Sequence, residues 1–156
     1  MMKTFMSLLV FSIVSTASAK CLETPSNAFS KFEKCVAKEN NKELEVHFIG
    51  FDFETISGQK MFNIYVHANP FQTEQNFQLD GLSHVNQDGT DMDGVNVVKA
   101  TCEGDQIKAQ IDYYQDSRII SQDEVVIRYS NKSVDYSLDT KTPGKKGYSL
   151  RIKCSL

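Results

Sequence analysis

The chain has 156 residues, 17 basic and 20 acidic side chains, a formal net charge of −3 and four cysteines. That length bounds a single domain with enough residues for a hydrophobic core. The mildly acidic balance gives no overall electrostatic pull toward nucleic acid or an anionic membrane, so partners of those two classes are not expected.

The first residues have the three-part layout of a secretory signal peptide. Met1 to Lys3 carry one positive charge, Phe5 to Val14 form a mostly apolar run, and Ser15 to Ala19 are small residues ending in Ala17-Ser18-Ala19. Cleavage after Ala19 leaves residues 20–156 as one β-rich domain, secreted or periplasmic. The apolar run is far shorter than the roughly 20 residues of a membrane-spanning helix, and no later run exceeds it. Lys20 stands where a lipoprotein signal needs a small residue before Cys21, so lipidation is not expected.

Cys21, Cys35, Cys102 and Cys154 all follow the leader. An even count in a small exported domain reads as two disulfides. Their separations of 14, 67 and 52 residues do not form the close pairs of a zinc ribbon.

Thr24-Pro25 followed by Ala28, Phe29, Phe32, Cys35 and Val36 has a capping residue, a proline at the first helical position and apolar residues three and four apart. This predicts one short helix over residues 25–38. Beyond Asn40-Asn41 the period becomes two. Phe62, Ile64, Val66 and Ala68 alternate with Asn63, Tyr65 and His67; Ile107, Ala109, Ile111 and Tyr113 with Lys108, Gln110 and Asp112; Val134, Tyr136 and Leu138 with Ser133, Asp135 and Ser137. Such alternation marks antiparallel strands with one buried face. Ser57-Gly58, Gly104-Asp105 and Asn131-Lys132 supply short hairpin turns, and Pro143-Gly144 introduces a last strand in which Tyr148, Leu150, Ile152 and Cys154 face inward.

The expected fold is therefore mainly β: an antiparallel meander of about seven or eight strands, closed as a small barrel or folded as a sandwich, disulfide-linked and preceded by one short N-terminal helix. Its outline resembles that of the lipocalins, but the chain has no tryptophan and lacks their Gly-X-Trp signature. With Cys102 and Cys154 on inward strand positions and Cys35 on the apolar helix face, Cys21 and Cys35 are expected to take Cys102 and Cys154 in one order or the other.

Three features carry candidate chemistry. Asp88, Asp91 and Asp93 share a short segment with Gly89 and Gly94. Calcium is the cation such an oxygen-rich, sharply bending loop would take, although the spacing does not follow the EF-hand register. His47 and His67 fall on one face of a predicted hairpin if Val46 and Phe48 share the core face with Ile64 and Val66. Two imidazoles at that distance suit zinc or copper given a further ligand. Lys141, Lys145, Lys146, Arg151 and Lys153 form a basic strip after the last acid, Asp139, whereas the stretch between Lys60 and Lys99 holds five acids and no lysine or arginine. The strip suits an anionic surface or partner; the alternative is that such runs pair or are hydrated. Asn131-Lys132-Ser133 fits a glycosylation sequon.

No nucleophile elbow, metalloprotease helix or phosphate-binding glycine loop is present in the sequence, and no cofactor is expected beyond calcium at the aspartate loop. The first functional reading is a non-catalytic binding module holding a small ligand in a barrel mouth or on a sheet face. The second is an interaction or inhibitor protein acting on another exported protein through loops such as Phe71 to Leu82, and the third is a hydrolase with a dispersed site.

Overall fold

Side-chain alternation also organises the computed structural model, which describes Cys21 and residues 29–69, 72–86 and 95–156. The leader expected at residues 1–19 and the aspartate segment with Asp88, Asp91 and Asp93 lie outside those residues. Twelve strands follow one another: β1 Ser30–Phe32, β2 Lys34–Glu39, β3 Lys42–Leu44, β4 Val46–Ile56, β5 Gln59–Ala68, β6 Gln72–Gln78, β7 Ser83–Asn86, β8 Val95–Glu103, β9 Gln106–Gln115, β10 Arg118–Tyr129, β11 Ser133–Lys141 and β12 Tyr148–Ser155.

They form two antiparallel sheets packed as a sandwich. One has four strands in the order β1-β4-β5-β6, the other eight in the order β3-β2-β12-β11-β10-β9-β8-β7. Strands β7 to β12 are the expected meander, each beside its sequence neighbour. The chain passes from one sheet to the other at single residues, Glu33 between β1 and β2 and Glu45 between β3 and β4, so the sandwich shares a corner. Among the described residues no helix is long and apolar enough to cross a membrane.

The expected helix is corrected from Ser30 onward, where β1 and β2 run; residues 22–28 lie outside the description. The corner at Glu33 explains the misleading spacing. Phe32 faces the core from the four-stranded sheet, the chain then changes sheet, and Ala37 faces the core from the eight-stranded one. A three-residue interval at a corner imitates a helical turn. The strand count exceeds seven or eight for related reasons: β1 and β2 run where the helix was expected, the corner at Glu45 sets off the short β3 ahead of β4, and β6 occupies most of the segment expected as the loop Phe71 to Leu82. Thr73 and Gln75 share the inward positions of β6 with Phe77, so its apolar alternation is faint in sequence.

Turns follow the residue chemistry. Ser57 and Gly58 both take positive φ, 52° and 82°, between Ile56 and Gln59, as a two-residue primed turn requires. Asp116 and Ser117 do the same between β9 and β10.

The core is sharply aromatic at one end. Phe51 and Phe62 are fully buried, and Tyr129 of the opposite sheet lies 5.4 Å and 5.8 Å from them between ring centroids. Phe53 closes the group at 5.0 Å from Phe62 and 5.3 Å from Tyr129. Both disulfides attach here. Cys35 and Cys154 are direct cross-strand partners on β2 and β12, with Cα atoms 4.1 Å apart. Cys21 joins Cys102 of β8 with Cα atoms 5.3 Å apart. The expectation that the two N-terminal cysteines bond to the two later ones is met, with Cys35 held on a strand rather than a helix.

Candidate functional site

The residues singled out by sequence come to different places. Asp88, Asp91 and Asp93 lie outside the described residues. His47 and His67 do meet on the outer face of the four-stranded sheet, with ring centroids 5.1 Å apart. The premise behind that placement is corrected: the core positions of β4 are Ile49, Phe51 and Phe53, opposite Val66, Ile64 and Phe62. The register shifts between Val46 and Phe48, so His47 is the extra residue of a bulge and Phe48 pairs with His67. No group of three or more His, Cys, Asp or Glu side chains able to hold a metal occurs among the described residues, which leaves the pair without a third donor of those kinds.

Around the histidines the outer face is aromatic and acidic. Lys31 Nζ sits 4.7 Å over the Phe48 ring, and Phe29 lies across Gly50, where any Cβ would collide with its ring, to meet Tyr65 at 5.4 Å. Asn63 donates to Asp52 at 2.7 Å. Burial, then the carboxylates of Asp52, Glu74 and Glu54, push the Tyr65 phenol above its ordinary range.

The basic strip is divided rather than continuous. Arg151 donates to both oxygens of Asp139, at 2.7 and 2.6 Å, and to the carbonyl of Leu138; Lys153 lies 3.5 Å from Asp135. Both pairings cross from β12 to β11. Lys145 and Lys146 are exposed in the connection before β12, while Lys141 lines an open groove of about 500 Å³ on the outer face of the eight-stranded sheet. Lys99, Lys108, Glu124 and Asp139 line the same groove, so its charges are mixed.

A different cluster, not singled out in the sequence, occupies the inner face of the eight-stranded sheet at the end away from the aromatic core. On β10 the inward positions run Tyr129, Ile127, Val125 and then Asp123, all buried, before the bulge beyond Ser121. Asp123 is 8% exposed. Tyr113 of β9 donates its hydroxyl to Asp123 Oδ2 at 2.9 Å. Across the sheet, Asp123 pairs with Thr140 of β11, which pairs in turn with Tyr148 of β12. Tyr136, two positions along from Leu138 on the same face, donates to Gln75 of the facing sheet at 2.9 Å. Tyr113, Thr140 and Tyr148 are half-buried, whereas Ala109, Val125 and Leu150 of the next row are buried. The four-stranded cover thins at this end.

Electrostatics bind the cluster together. Burial first, then the negative charge of Asp123, drives the Tyr136 phenol far above its ordinary range. Tyr148 is pushed up to about 12 by burial, by its hydrogen bond and proximity to Glu39, and by Asp123. These phenols stay neutral at physiological pH, so they act as hydrogen-bond donors and ring faces, not as bases. The other carboxyl oxygen, Asp123 Oδ1, is the buried side-chain atom that has no hydrogen-bond partner among the described residues. An orphaned buried acceptor costs about 1–3 kcal/mol, and more when charged, so native structures rarely carry one without a reason.

The sequence signal for this cluster was available: an aspartate standing where the period-two pattern of β10 demands an apolar residue. No family model matches the chain, and no curated protein or solved structure matches it.

Proposed function

We propose that this chain is an exported, non-catalytic binding module that holds a small ligand at the polar end between its sheets, with Asp123 as the anchor. The observation that carries this reading is the buried Asp123 carboxyl group, one oxygen engaged by Tyr113 and the other without a partner. A few convergent polar groups on an otherwise apolar wall are what orient a small ligand. Paired cysteines suit an oxidising compartment, in keeping with a leader at residues 1–19.

The test is amide mapping by NMR on the oxidised chain with a panel of small polar ligands. Binding should perturb the amides of Tyr113, Asp123 and Tyr148, and Asp123→Asn should abolish the perturbation. Shifts at Lys99, Lys108 and Lys141 without Tyr113 and Tyr148 would move the site to the outer groove, which Asp123 also lines, and refute the assignment.

A second reading, an interaction protein acting on another exported protein, draws on Val85, Val95, Ile119 and Ile120, apolar side chains exposed near one margin of the eight-stranded sheet. Replacing Val85 and Ile119 with lysine would then abolish partner capture while leaving the Asp123 mapping unchanged.

A further inference from the structure

We infer that the ligand accepted at Asp123 is a small organic cation, an amine carried as its ammonium. The inference rests on the binding reading above and narrows it from any polar ligand to one charge class. A carboxylate has acceptors and no donor, so whatever completes Asp123 Oδ1 must bring a donor. Charge decides which donor. From β8 to β12 none of the inward positions in Asp123's row of the sheet, or in the rows on either side, carries lysine, arginine or histidine; His84 of β7, which ends the row beyond Val98, is three strands away and paired with Asp80 at 2.9 Å, so the strands around Asp123 supply no cation to the carboxylate. Glu39 of β2, opposite Leu150 on β12 and so one row from Tyr148, places a second carboxylate at this end of the sandwich. An anionic ligand would meet two like charges, and a neutral hydroxyl would satisfy the hydrogen bond while leaving the charge buried and uncompensated.

Aromatic side chains supply the rest of the recognition. Tyr113 is fixed by its 2.9 Å bond to Asp123, and Tyr148 lies one pairing beyond Thr140 in the same row. Tyrosine rings beside a carboxylate attract an ammonium through their negative faces as well as through the salt bridge, and both contributions grow when water is excluded. Half-exposed Tyr113, Thr140 and Tyr148 also define the side from which such a group enters.

Three probes with one ring and one two-carbon scale separate the possibilities: phenethylamine, its neutral counterpart 2-phenylethanol, and anionic phenylacetate. Each is titrated into the intact oxidised chain, with calorimetry for affinity and amide shifts for location. Phenethylamine should bind about tenfold or more tighter than 2-phenylethanol, as expected for a charge-assisted bond, with shifts at Tyr113, Asp123 and Tyr148. Phenylacetate should not bind there. Asp123→Asn should bring the amine and the alcohol to similar, weak affinity. Equal binding of amine and alcohol at these residues would overturn the cation assignment while leaving the binding reading standing. Silence at these residues with all three probes would overturn the inference, and silence across the wider ligand panel would overturn the binding reading too. Should Asp123→Asn fail to fold, the ranking of the probes on the unaltered chain decides.

Discussion

The two ends of the sandwich interior are built on the same strands and differ in what they bury. At one end Phe51, Phe53, Phe62 and Tyr129 interlock across the sheets, and both disulfides tie the chain's N-terminal part to β8 and β12. At the other, Asp123, Tyr113 and Tyr148 occupy the equivalent inward positions, with an acceptor left over. The contrast teaches a division of labour. Apolar area and covalent closure hold the fold at the aromatic end, which lets the polar end keep groups that cost stability, the ones the proposed binding would use.

Breaking the closure is the strongest way to test that division. The disulfides span 81 and 119 residues of sequence. In the chain-entropy model, loops of that size contribute about 4–5 kcal/mol each, before any other effect. Replacing Cys35 and Cys154 together by alanine should therefore lower the urea midpoint more than any single substitution at the polar end. Peptide mapping without reductant should recover Cys21 joined to Cys102 and Cys35 joined to Cys154; a peptide joining Cys21 to Cys35 would sink the comparison.

Next in size is the aromatic cluster. Phe62→Ala removes a fully buried ring that contacts Phe51, Phe53 and Tyr129, and should cost about 3–5 kcal/mol in equilibrium unfolding. Asp123→Val at the polar end should behave oppositely. It continues the valine and isoleucine row of β10, removes the orphaned oxygen and leaves Tyr113, half-buried, able to reach water. A stability gain of about 1 kcal/mol is expected, with ligand binding lost. A loss comparable to that of Phe62→Ala would show that Asp123 is structural and that the two ends do not differ as described.

This division was only half legible in the sequence. The alternation of β5, β9, β11 and β12 exposes the buried face directly, because antiparallel strands with one wet face must alternate. Hairpins at Ser57-Gly58 and Gly104-Asp105 were legible for a local reason, since few residues tolerate their backbone angles. Corners at Glu33 and Glu45 were not. A change of sheet shifts the inward parity by one residue, and that shift depends on a partner sheet far away in sequence. The bulge at His47 hid the true core face of β4 in the same way, while still bringing His47 to His67. The Asp123 site was missed because its partners come from β9, β11, β12 and β6, and only the assembled sheet brings them together.

The smallest expected effect concerns alkaline pH and discriminates the two ends without touching their packing. Tyr148 is pushed up to about 12 in the folded chain, from an ordinary 10.0. Below pH 10 its proton is bound in both folded and unfolded chains, so its contribution to stability is fully present. As the pH rises from 10 toward 12 the unfolded chain releases the proton while the folded chain retains it, and stability falls through that window. Tyr136 is raised too and adds a loss of the same sign that begins at the same unfolded value. Tyr148→Phe should therefore flatten, without abolishing, the decline of the urea midpoint above pH 10, and should leave the midpoint at neutral pH nearly unchanged because Tyr148 is only half-buried. Phenolate absorbance of the folded chain provides the independent check: the variant should lose one late-titrating tyrosine. If the slope above pH 10 is the same in both chains, neither burial nor the carboxylates of Glu39 and Asp123 raise Tyr148, and the polar end is not the coupled cluster on which the ligand assignment depends.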